Sequence, residues 1–269
     1  MARFTTRELS KNTWPDYVRY FSQGNGWDHC GCTAYQGFGA PSTVRKWTSK
    51  RDWNLELKKK LLERGLAHGV LVYAQGEPIG WCQFGPKVEL PIPESQRKEL
   101  LEGAPGWKRR WAHWGESTQT DDRVWRITCF CTDKEFAGEG VAAIALRAAV
   151  EAIRKRGGGV IEAFPVATVP ESDERLSAAR GWKRDLIKRI RAHGRFSDEV
   201  VRYMSSPPPP IKAHVEGVGE VDGIGWTYGV MHSGTVGMFE REGFKALSVW
   251  GTGPRVVMQR KVRPSNRKK

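Results

Sequence analysis

The sequence predicts an α/β fold of the α+β kind, and three observations predict it. An apolar strand over Val124–Thr132 runs into a turn carrying Gly138 and Gly140, and that turn opens an amphipathic helix. A hairpin pattern stands upstream, with apolar runs at 69–74 and 79–84 around Gln75-Gly76-Glu77-Pro78. Strand-period and helix-period segments then alternate along the chain, the pattern of helices packed on a sheet.

Residues 4–9 read as a short strand, and Trp14-Pro15 as a helix start, since proline suits a first helical turn. Gly24, Asn25, Gly26 and Gly31 break regular structure around His29, Cys30 and Cys32. A helix is expected over 42–64, ahead of the hairpin. The polar, aromatic-rich stretch that follows has no assignable period; it holds Trp107, Trp111 and Trp114, and Asp121 and Asp122 close it. The helix after the glycine turn carries apolar residues at Val141, Ile144, Ala145, Ala148, Ala149, Ala152 and Ile153. Gly157-Gly158-Gly159 ends it before a strand at 160–166. Trp182, Leu186, Ile187 and Ile190 share one face of a basic helix over 180–195, and a short helix is expected at 197–204, before Pro207 to Pro210 impose extended backbone. A helix at 235–242, stopped by Gly243, and strands at 244–250 and 255–260 finish the pattern. These changes divide the chain into 1–168, an insertion at 169–224, a return to the first domain at 225–262, and a basic tail at 263–269.

The 269 residues suffice to bury a sizeable core. No stretch approaches the roughly 20 apolar residues of a membrane span, and the first residues do not read as a signal peptide. Five cysteines, an odd number, argue against a disulfide framework and for a reducing, cytoplasmic setting. The net charge of +14 is clustered: 180–195 holds seven Lys or Arg against one acid, and 260–269 holds six with none. The segment 45–65 is also basic. Such clustering points to a partner with phosphates or carboxylates. A strand, a glycine turn and a helix N-terminus together make an anion site, because backbone N–H groups and the positive end of the helix dipole converge there.

The order of elements resembles that of the Gcn5-related N-acetyltransferases. Residues carry the resemblance: Trp125 to Phe130 followed by Gly138-Glu139-Gly140-Val141-Ala142, then Glu162 to Val166, then Gly234 to Phe244. The segment around His29-Cys30-Gly31-Cys32 is similar to that of one bacterial branch. The resemblance implies a mixed, mostly antiparallel sheet of about six to seven strands flanked by helices. It also implies that the strand before the turn splays from its neighbour to admit acetyl-CoA or another acyl-CoA. Carried over by residue, Cys131 and Thr132 would line the thioester arm, Gly138, Glu139, Gly140, Val141 and Ala142 would hold the phosphates, and Phe239 would pack on the cofactor. Three positions depart from the family pattern. Ala137 stands where Arg or Gln is usual, Phe239 where a proton-donating tyrosine is usual, and His232 where Asn is usual.

Acyl transfer to an amine needs a neutral amine, a polarised carbonyl and a protonated leaving thiol. A lysine amine is only about one part in 2,000 neutral at pH 7, a cost of roughly 4–5 kcal/mol, whereas an α-amine costs about 1 kcal/mol. An amide at Cys131 or Thr132, where the strand bulges in this family, would polarise the carbonyl. Glu162 is the first candidate base because it interrupts an apolar strand, and His232 is a second, as proton relay or helix cap. Asp121, Asp122 and Tyr228 are weaker candidates. Cys30-Gly31-Cys32 and Cys129-Phe130-Cys131 are both C-x-C pairs, a spacing less usual for zinc than C-x₂₋₄-C, so no metal is expected. The leading expectation is a cytoplasmic N-acyltransferase acting on a small-molecule or peptide amine. An alternative uses aminoacyl-tRNA through Arg180, Lys183, Arg184, Lys188, Arg189, Arg191 and Arg195, and a third is a non-catalytic nucleic-acid or protein-binding module.

Overall fold

The structure is a computed structural model that describes residues 4–28, 30–33, 47–90, 123–170, 172–193, 197–205, 211–223, 232–249 and 254–265. In chain order its elements are β1 (Phe4–Glu8), α1 (Trp14–Tyr20), α2 (Trp47–Glu63), β2 (His68–Ala74), β3 (Glu77–Pro86) and β4 (Val124–Thr132). There follow α3 (Val141–Lys155), β5 (Gly159–Ala163), α4 (Glu174–His193), α5 (Asp198–Met204), β6 (Lys212–Val215) and β7 (Gly219–Asp222). The last are α6 (Val236–Arg241), β8 (Lys245–Val249) and β9 (Val256–Val262). Seven strands form one sheet in the order β1-β2-β3-β4-β5-β9-β8. Only β4 and β5 run parallel; the other neighbours are antiparallel, the mixed sheet the sequence implied.

The sheet is covered on both faces, which is why β2 and β3 read as continuous apolar runs. On one face α3 buries Val141, Ala145, Leu146, Ala149, Val150 and Ile153 against Val70, Val72, Phe84, Ile127, Phe130 and Ile161. On the other, Leu71, Tyr73, Trp81, Cys129 and Cys131 meet Tyr17, Tyr20 and Phe21 at α1 and Leu55 and Leu61 of α2. The hairpin turns on two residues rather than four: Gln75 (φ 51°) and Gly76 (φ 89°) both take the left-handed conformation that matches strand twist. No helix among the described residues is long and apolar enough to cross a membrane.

The basic segment folds as α4 and α5, with Trp182 stacked on Tyr203 at 5.6 Å. Ser197 caps α5 by accepting from the Val200 amide. The sequence reading missed the β6–β7 hairpin, although Ala213, Val215 and Val221 alternate with Lys212, His214 and Glu220. Those three apolar residues join Leu176 in the main core, so α4 starts at Glu174, earlier than expected, where its first turn is anchored.

The pairing of β4 with β5 ends at Ile127 and Ala163. Beyond it, Val166 bridges to Thr235 and Arg255, and the Phe130 amide donates to the His232 carbonyl at 2.5 Å. Gly234 makes this crossing feasible: it has φ +75°, and a Cβ there would lie 2.5 Å from Met238 Cε and 3.1 Å from Phe239. Gly234→Ala is expected to cost about 2 kcal/mol through left-handed strain and overpacking, read as a lower midpoint in urea denaturation.

Candidate active site at the splayed edge of β4

The turn after β4 is built by three short bonds. The amides of Phe136, Ala137 and Glu139 donate to the carbonyls of Asp133, Lys134 and Phe136. Gly138 and Gly140 adopt φ of 83° and 80°, with nothing within 4 Å of a Cβ position at either. Gly140 is the N-cap of α3 and supplies no side-chain cap. The amides of Gly138, Gly140, Val141 and Ala142 form no backbone bond among the described residues and stand at the positive end of α3. Glu139 differs from its neighbours: its amide closes the turn and is not an outward donor.

The adjoining strand edge is partly closed. Trp27 Nε1 donates to the Thr132 carbonyl at 2.6 Å, and its ring stands edge-on to His232 at 4.7 Å. Because Phe130 turns its amide to His232, alternation turns the Cys129 and Cys131 amides toward β3. Of the two expected carbonyl-polarising positions, only Thr132 faces the open edge. The bulge is also displaced: the register shift opposite Gln83 and Phe84 makes Thr128 the extra residue of β4, rather than Cys131 or Thr132. Thr128 Oγ1 is buried there without a hydrogen-bond partner among the described residues.

A family model described as Acetyltransferase (GNAT) family matches residues 34–175, more than half of the chain. The chain belongs to the GNAT acetyltransferase family. It is an N-acyltransferase by that membership, and the family uses acyl-CoA. No curated protein matches the sequence. Among solved structures, a GNAT acetyltransferase from Streptococcus pneumoniae is 7% identical, with 96% of this chain and 99% of that one covered at a TM-score of 0.39. The ribosomal-protein-S18-alanine N-acetyltransferase from Escherichia coli is 8% identical, with 99% and 98% covered at 0.37. The ribosomal-protein-S5-alanine acetyltransferase from Vibrio fischeri is 11% identical, with 100% and 97% covered at 0.36.

Within this GNAT scaffold the two candidate bases are differently placed. Glu162 is buried in an ion pair, its Oε2 accepting from Arg126 Nε at 3.3 Å and its Oε1 from Gln259 Nε2 at 3.4 Å. Arg126 Nη1 is held in turn by the Leu90 carbonyl at 3.1 Å. With both oxygens engaged, Glu162 balances a buried guanidinium instead of standing open to an acceptor. His232 is half-buried beside Trp27, and α6 is capped by the Thr235 side chain, so the capping role falls to Thr235 rather than to His232. Phe239 does not reach the crevice: it has no exposed surface and packs edge-on against Phe130 and Phe244 in the core.

The basic helix presents fewer cations than its sequence suggests. Arg189 pairs with Glu199 and lies 4.5 Å over the Tyr203 ring. Lys188 stands 3.6 Å from Asp185, while Arg184 and Arg191 are exposed and Arg180 is half-buried. Arg195, Asp121, Asp122, Tyr228 and the Lys183 side chain lie outside the described residues.

Sequence reasoning missed the convergence of four thiols under β4. Cys30, Cys32 and Cys131 place their sulfurs within 4.8 Å of one another, and Cys129 Sγ lies 3.8 Å from Cys131 Sγ. The hydrogen bond with Cys131 lowers the Cys129 thiol from its usual range, whereas burial pushes Cys131 well above it. Lys58, wholly buried, faces Cys32, Cys129 and Cys30, and burial lowers its pKa to about 8.

Arg126→Met would strand the Glu162 carboxylate in the core and is expected to cost about 3–5 kcal/mol in urea denaturation. The double variant Arg126→Met with Glu162→Met recovers most of that loss if the pair is structural.

Proposed function

We propose that this acyltransferase carries an acyl group, acetyl in the simplest case, from coenzyme A to a primary amine by direct transfer. One observation carries the reading: the amides of Gly138, Gly140, Val141 and Ala142, without a backbone partner among the described residues, stand at the head of α3 beside a strand that β5 has left. The open space around Gly138 and Gly140 suits a pyrophosphate, and Ala137 means that backbone donors alone would hold it. Bound acyl-CoA would supply the activated thioester. The Thr132 amide is the group aimed to stabilise charge on a carbonyl, and Trp27 and His232 wall that end of the edge.

His232 is the candidate to receive the acceptor's proton, since Glu162 is committed to Arg126. An α-amine, or another amine of depressed pKa, suits such a site better than a lysine, because it is already substantially neutral near pH 7. The five cysteines are free thiols, which fits a reducing cytoplasm. Isothermal titration with acetyl-CoA tests the reading directly: no heat at millimolar ligand would end it. Gly138→Asp, a residue that tolerates left-handed backbone, places a carboxylate in the cradle; it is expected to raise KM for acetyl-CoA at least about tenfold with kcat little changed.

A tRNA-linked reaction is the second reading, supported by the exposed Arg184, Lys188 and Arg191 on α4. Reversing these three to Glu is expected to leave kcat/KM for acetyl-CoA within about twofold, since they stand on a separate helix from the glycine turn. A coincident loss of transfer and of salt-dependent RNA binding would favour the RNA-linked route instead.

A further inference from the structure

We infer that Cys30, Cys32, Cys129 and Cys131 form a four-sulfur site for a divalent zinc-class ion, joining the amino-terminal loop to β4. The inference does not depend on the donor or the acceptor of the acyl group. Zinc bound to four thiolates at about 2.3 Å has tetrahedral edges of about 3.8 Å. Cys129 and Cys131 stand at that separation, 3.8 Å, and Cys131 groups with Cys30 and Cys32 within 4.8 Å. Cys131 is the sulfur common to the loop pair on one side and Cys129 on the other, so the two C-x-C pairs meet at that thiol.

The loop holds its thiols in place before any ion arrives. Three consecutive carbonyls are each fixed by a side chain: Cys30 O accepts from Asn54 Nδ2 at 2.6 Å, and Gly31 O from Tyr17 OH at 2.8 Å. With the Gln83 amide turned to satisfy both neighbours, its NH2 donates to Cys32 O at 3.1 Å and its oxygen accepts a hydrogen bond from Lys58 Nζ at 3.2 Å. Gly31 (φ 64°) and Cys32 (φ 51°) are both left-handed, an uncommon conformation for a cysteine, and a Cβ at Gly31 would lie 2.7 Å from Asn54 Cβ. Fixing the backbone that carries each ligand is what second-layer contacts do in metal sites. The buried Lys58 ammonium offsets part of the double negative charge of a metal held by four thiolates. Loading the ion displaces the four thiol protons to solvent. His232 lies within 4.8 Å of the Cys129 and Cys131 sulfurs and is assigned as a neighbour, not a ligand.

The test uses the full chain, purified under reducing conditions from zinc-supplemented culture. Elemental analysis is expected to find about one zinc per chain. Cobalt(II) added to the demetallated, reduced chain is expected to give a thiolate charge-transfer band with tetrahedral visible bands, both abolished by zinc. The paired substitutions Cys30→Ser with Cys32→Ser and Cys129→Ser with Cys131→Ser are expected to lose the metal, while Cys82→Ser and His232→Ala keep it. Because a serine pair can itself unfold the chain, the cobalt titration of the unaltered chain decides. Background zinc with no charge-transfer band would overturn the inference. So would loss of metal in His232→Ala with retention in Cys30→Ser, which would assign a different ligand set.

Discussion

When a strand leaves its neighbour, the amides and carbonyls it abandons must find other partners, and that constraint organises the centre of this molecule. β5 leaves β4 after Ile127, and β4 continues for five more residues without β5 beside it. Two of the abandoned groups are met from distant parts of the chain. His232 offers its carbonyl to Phe130, and Trp27 offers its indole to Thr132. Each brings its own element along: Gly234 and α6 follow His232, and the amino-terminal loop follows Trp27. Both segments therefore meet at the end of β4 that leads into the glycine turn.

This arrangement explains which parts of the site were legible in sequence. The strand Val124–Thr132 was read to the residue, because seven of its nine residues are buried and β-branched, aromatic and thiol side chains dominate it. The glycine turn was equally plain, since left-handed backbone at two positions two apart leaves its mark in composition. By contrast, the commitment of Glu162 depends on Arg126, its register partner across a parallel pair that local spacing does not reveal. Phe239 was assigned to the cofactor by analogy of position, yet without a hydroxyl to place it is simply a large apolar ring, and the core between Phe130 and Phe244 takes it. The hairpin β6–β7 went unread because four-residue strands beside a proline run give too short a period.

The polar groups beneath β4 fall on one face only. Cys129 and Cys131 pack with α1, α2 and the loop before α2, and Arg126 reaches Glu162 and the Leu90 carbonyl, whereas Ile127 and Phe130 pack with α3. The α3 side can therefore be packed as plain hydrocarbon, which fixes the glycine turn rigidly against β3 through Val141 and Gly80. The opposite side must satisfy a carboxylate, a guanidinium, an ammonium and several thiols within a buried layer. Such a layer specifies its geometry sharply, because each group left without a partner costs about 1–3 kcal/mol or more.

The spacing that argued against a metal in the sequence gains a different meaning once the elements are known. The C-x₂₋₄-C pattern belongs to ligands carried on one tight turn, where two or more intervening residues are needed to fold the second sulfur back beside the first. A strand has the opposite requirement: side chains alternate, so two ligands on one face must be two residues apart. Cys129 and Cys131 obey the strand rule. The loop pair Cys30 and Cys32 reaches the same side with a single residue between only because Gly31 and Cys32 leave the ordinary backbone regions. Spacing is thus a property of the element that carries the ligands. Two C-x-C pairs, one on a strand and one on a left-handed loop held by Asn54, Tyr17 and Gln83, are as sound a basis for a four-sulfur site as a pair of knuckles.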